Sequence, residues 1–164
     1  MKKSLIALAF GTLALGMSEF VMMGILPDIA RSLGVSIPEA GHLISAYALG
    51  VCAGALALVF LARGKSLKTL LISLMALMCI GNAMAVFAPT YEFMLLARFI
   101  SGLPHGGFFG VAGIVAKRLA PKNKQVEAVA IMISGMTVAN LIGIPMASYP
   151  VSYTHLTLPT TSRV

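Results

Sequence analysis

Residues 93–115 read FMLLARFISGLPHGGFFGVAGIV, a run in which only Arg98 and His105 are ionisable. An α-helix needs about 20 mostly apolar residues to cross the hydrocarbon of a bilayer, and at about 1.5 Å per residue this stretch is long enough. Gly102, Gly106 and Gly110 recur at every fourth position. That spacing puts them on one ridge, where a second helix can approach closely. The stretch therefore reads as a membrane helix shaped to be packed by other helices.

Four more runs of this kind flank it, and the spans are expected at 5–26, 40–62, 69–88, 93–115 and 128–149. Composition agrees: 59% of the 164 residues are hydrophobic and 10% are charged, with a mean hydropathy of +0.95. A water-soluble domain carries about 25% charged residues. The first run begins after Lys2 and Lys3 and so imitates a secretory leader. It is longer than the roughly 7–15 residues of a leader's apolar core. It also contains Glu19 and is followed by further spans, so it is expected to stay as the first helix. Pro27 and Asp28 are expected to open a loop that continues through Arg31 to Glu39.

The charges alternate with the spans. Lys2, Lys3, Arg63, Lys65, Lys68, Lys117, Arg118, Lys122 and Lys124 fall on one side; Asp28, Arg31, Glu39 and Glu92 fall on the other. The positive-inside rule then places the N-terminus and the loops at 63–68 and 116–127 in the cytoplasm. The net charge of +7 is explained by these loops, since no basic amphipathic face exists to bind nucleic acid. Cys52 and Cys79 lie inside apolar runs without a second ligand at metal-binding spacing. They read as packing residues, and neither a metal nor a cofactor is expected.

Charged side chains inside a bilayer cost about 2.5–3.5 kcal/mol on insertion scales, so they tend to face a cavity and to serve a function. Glu19 and Arg98 are the two such residues within spans, although Arg98 stands near enough to the outer interface to snorkel. His105, seven residues after Arg98, shares its helix face. Gly50 and Gly54 repeat the glycine spacing on the second span. In the fifth span Asn140, Gly143 and Pro145 mark a candidate gate or hinge, because a mid-membrane proline frees a backbone carbonyl. Laying Gly16 on Gly102 also brings Gly24 onto Gly110 and Glu19 onto His105. The two helices run in opposite directions, so such a repeat is inverted, and it places Glu19 and His105 around one central cavity.

These residues resemble a family. The segment 98–112, RFISGLPHGGFFGVA, is similar to the fourth-helix motif of major-facilitator drug:proton antiporters of the arabinose-efflux-permease-like branch. Segment 135–148, GMTVANLIGIPMAS, resembles their fifth-helix antiporter motif, and segment 16–28, GMSEFVMMGILPD, also resembles that branch. The resemblance implies an all-α membrane protein in which this chain supplies five helices of a six-helix N-terminal half, completed by a second half. It further implies a bacterial inner-membrane carrier that exports a sugar, nucleoside or drug-like small molecule against inward proton flow. Arg98 matches an arginine implicated in proton relay; Gly143 and Pro145 match the motif that bends the fifth helix. The loop bearing Arg63, Lys65 and Lys68 keeps the family's basic character but lacks its aspartate. A non-transporting membrane subunit or sensor is the alternative. A membrane enzyme ranks below both, because paired carboxylates, nucleophile–base spacing and a phosphate loop are all missing from the sequence.

Residues 151–164 break the pattern. They hold four threonines, as many as the preceding 150 residues. Residues 151–161 resemble the translation of a transposon-end adapter used in sequencing libraries, so the native sequence is expected to end near Pro150, leaving a chain inactive by itself.

Overall fold

The computed structural model describes residues 2–155, with side chains to residue 147. Helices α1 (Lys2–Gly24), α2 (Leu26–Leu33), α3 (Ile37–Leu61), α4 (Leu67–Val86), α5 (Tyr91–Leu119) and α6 (Gln125–His155) follow in order, with a 3₁₀ turn at Lys122–Lys124 before α6. All but α2 are long and apolar enough to span a membrane. The fold is therefore an all-α bundle with five candidate spans.

The helix starts follow from local chemistry. Ser36 caps α3 by accepting from Glu39 N at 3.3 Å, while Glu39 Oε2 accepts from Ser36 N at 2.8 Å, a reciprocal capping box. Ser66 caps α4 through Thr69 N at 3.1 Å, and Thr90 caps α5 through Phe93 N at 3.3 Å. Each cap sits at the polar edge of an apolar run, where the first backbone N–H groups would otherwise lack partners.

Most span boundaries lie within a few residues of expectation, and two differences are larger. The loop expected from Pro27 is mostly the helix α2. Proline fits the first turn of a helix, where its missing N–H costs nothing, and Asp28 complements the helix dipole there. Asp28 also pairs with Arg31, and Gly34, at φ 66°, ends the helix in the left-handed conformation. The fifth span runs on from 149 to His155 as one helix. The rest of the tail expected to be foreign, 156–164, lies outside the described residues.

α5 is the axis of the bundle. Half of its apolar window is buried, against 33% for α1 and less for the other spans. α3 and α4 pack on α5, and α6 packs on α1. The remaining helix faces carry exposed large apolar side chains such as Phe10, Phe60 and Phe87, as expected of surfaces bounded by lipid or further helices.

Candidate functional site

Glycine brings α3 and α5 together. A Cβ on Gly50 would strike Phe99 O, and one on Gly54 would strike Leu103 O. From the other side, Cβ atoms on Gly102 and Gly106 would strike Tyr47 O and Val51 O. The two ridges thus interlock backbone to backbone, a spacing that only glycine permits. Gly110 does not belong to this contact. It is exposed and a Cβ there would meet nothing within 4 Å, because the crossing helices diverge after Gly106.

The close approach encloses polar groups. Arg98 is 2% exposed and His105 7% exposed, so Arg98 does not snorkel. Its Nη1 donates to Ser18 O of α1 at 3.0 Å, and its guanidinium lies 4.3 Å from the centre of the Tyr47 ring of α3. That is a cation–π geometry, strengthened where water is excluded. The Nε–H of Arg98 is buried and has no hydrogen-bond partner among the described residues.

His105 stands two turns further along α5, on the same face. Its Nδ1 is 2.7 Å from the Tyr47 hydroxyl and 3.8 Å from Glu19 Oε2 of α1. Its ring stacks on Phe109 at 5.3 Å and meets the Tyr47 ring edge-on at 5.7 Å. Glu19 is the most accessible member, with 28% of its side chain exposed, and it also feels the charge of Arg98. Around this centre Ser18 Oγ donates to Asn82 Oδ1 of α4 at 2.7 Å, and Asn82 Nδ2 donates to Met78 O at 3.0 Å. Residues from α1, α3, α4 and α5 therefore meet in one polar centre surrounded by apolar helix.

Glu19, Arg98 and His105 are brought together here, and Tyr47, Ser18 and Asn82 join them without having been singled out in sequence. Tyr47 had a usable signal: it precedes Gly50 by three and Gly54 by seven, and so lies on the same face as the glycine ridge. Asn140 stays apart, exposed on α6. Gly143 is buried in the seam between α6 and α1, where a Cβ would meet Phe20 Cβ at 3.2 Å. Pro145 is exposed within the continuous helix α6. Arg63 and Lys65 lie exposed between α3 and α4, and Lys68 lies in the first turn of α4. Among the described residues, no group of three or more His, Cys, Asp or Glu side chains is placed to hold a metal.

The family model for the Major Facilitator Superfamily matches residues 8–158. The chain belongs to the Major Facilitator Superfamily. Over 149 residues it is 50% identical to the "Putative transporter AraJ" of Escherichia coli (strain K12), a match covering 91% of this chain and 38% of that protein. It is 46% identical over 145 residues to the "Inner membrane transport protein YdhP" of the same strain, covering 88% and 37%. It is 31% identical over 141 residues to the "Probable sugar efflux transporter" of Mannheimia succiniciproducens, covering 86% and 36%. The chain thus spans less than two fifths of the length of these curated relatives. As a major-facilitator chain it is an integral membrane protein of a transporter family and not an enzyme.

Proposed function

We propose that this chain forms part of a proton-coupled carrier that exports a small molecule from the bacterial cytoplasm across the inner membrane. The observation that carries the reading is the polar centre: a carboxylate, an imidazole and a guanidinium from two spans, within a few ångströms, in a bundle whose other buried groups are nearly all apolar. Ionisable groups held there at the cost of desolvation are the usual machinery of proton relay. Glu19 and His105 change protonation during the cycle in this reading, and Arg98 sets the local field.

The efflux direction draws on the sugar efflux name of one relative. Sugars, nucleosides and drug-like molecules remain equal substrate candidates. The remaining part of the carrier supplies the second half and the opposite wall of the substrate path. The N-terminus and the basic loops face the cytoplasm by the positive-inside rule.

A pH-jump transport assay on the full-length protein tests this. Glu19→Gln and His105→Asn, singly and together, should uncouple export from the proton gradient while leaving the protein in the membrane. Unchanged coupling in the double variant would eliminate both residues as proton carriers.

A further inference from the structure

The polar centre contains a selector. Two groups converge on one atom, His105 Nδ1: the Tyr47 hydroxyl at 2.7 Å and the Glu19 carboxylate at 3.8 Å. A neutral imidazole carries one N–H and one lone pair. Were the N–H on Nδ1, the carboxylate would be the stronger acceptor, because charge-assisted hydrogen bonds exceed neutral ones. The tighter contact would then be with Glu19. The order is the reverse: the hydroxyl lies within hydrogen-bond range and the carboxylate beyond it. The lone pair of Nδ1 accepting from the tyrosine O–H accounts for both distances.

We propose that Tyr47 is a positioning residue that selects the Nε2–H tautomer of neutral His105 and so keeps His105 and Glu19 unpaired until the ring gains a proton. On protonation Nδ1 becomes a donor and the tyrosine can no longer donate to it. The nearest anion to that new N–H is Glu19. The tyrosine hydroxyl then turns its proton away from the ring, and the neighbouring Ser18 hydroxyl is a candidate acceptor for it. Ser18 sends its own proton to Asn82 Oδ1, and Asn82 is held in that orientation by the hydrogen bond from its Nδ2 to Met78 O. The one covalent change is the new Nδ1–H bond, made with a proton taken from bulk water and held on His105; otherwise only hydrogen bonds rearrange. The titratable groups facing the ring are Glu19 from α1 and Tyr47 from α3; Arg98 of α5 lies over the Tyr47 ring rather than on the imidazole, and α4 contributes the neutral Asn82 to the surrounding shell. α6 contributes none of these among the described residues.

The consequence for transport rests on the proton-coupled reading; the tautomer does not. The chain has three histidines, His42, His105 and His155. Histidine-selective ¹⁵N labelling of the chain in lipid nanodiscs therefore gives few ring signals, and His42→Gln and His155→Gln assign them. At a pH where the ring is neutral, His105 should show an unprotonated Nδ1 and a protonated Nε2. Tyr47→Phe keeps an aromatic face under Arg98 but removes the hydroxyl. In it, the Nδ1–H form should grow at least about fivefold, the scale of one lost hydrogen bond. An unchanged tautomer ratio in folded Tyr47→Phe overturns the proposal. So does a dominant Nδ1–H form in the unaltered protein, which decides the matter even where the variant loses its helical circular dichroism. If the tautomer shifts while full-length export keeps its pH dependence, the selector stands and the proton-coupled reading falls.

Discussion

The two most extensive seams of the bundle are both lined with glycine. Between α3 and α5, Gly50, Gly54, Gly102 and Gly106 let the backbones touch. Between α1 and α6, Gly135 faces Ala9 O and Gly16 faces Ala139, whose Cβ an added methyl would meet at 2.5 Å. The contents differ. The first seam encloses Tyr47, Arg98 and His105; the second encloses Thr12, whose hydroxyl lies 2.6 Å from Met132 O and 2.9 Å from Ala9 O. Glycine sets how near two helices come, and it does so equally in both places. What the seam then buries decides whether the close approach serves chemistry or only cohesion.

The largest effect should come from filling the first seam. Gly54→Ala drives a methyl into Leu103 O, so the helices must part. A loss of about 3 kcal/mol or more is expected in a denaturing-detergent titration followed by circular dichroism. Gly110→Ala on the same ridge line meets open space, and should be neutral or stabilising by up to about 1 kcal/mol. Equal losses at both positions would break the distinction between the two glycines. The second seam should respond more weakly to the loss of its polar contact. Thr12→Val keeps the shape and removes the hydroxyl, and an interhelical hydrogen bond in a membrane averages about 0.6 kcal/mol. A loss several times larger in the same titration would mean that this seam too depends on buried polarity.

The spans were legible because length and apolarity are properties of the chain alone. The seam was half legible: the four-residue glycine spacing showed which faces meet, but the spacing continues to Gly110 after the crossing helices have separated. Only the crossing geometry reveals where a ridge stops being used. α2 was misread because Pro27 signals a loop when it follows an apolar run, and a helix start when Asp28 follows it and Gly34 closes it. Within the polar centre, the charged members stood out against an apolar background. Ser18 and Asn82 did not, since a hydroxyl or an amide in a span is ordinary until its partner on another helix is known. Asn140 shows the converse: a polar residue in a motif-bearing span that faces away from the centre.

The proposal that Glu19 and His105 exchange protons during transport requires that water reach both, and labelling tests this most directly. The natural cysteines offer the contrast, because Cys52 and Cys79 are free and exposed on the outer faces of α3 and α4. With both replaced by serine, single cysteines at 19 and 105 should react with a small water-soluble maleimide in intact membranes and be protected by substrate. Single cysteines kept at 52 and 79 should react only with a lipid-soluble reagent. Positions 19 and 105 behaving like 52 and 79 would contradict the account.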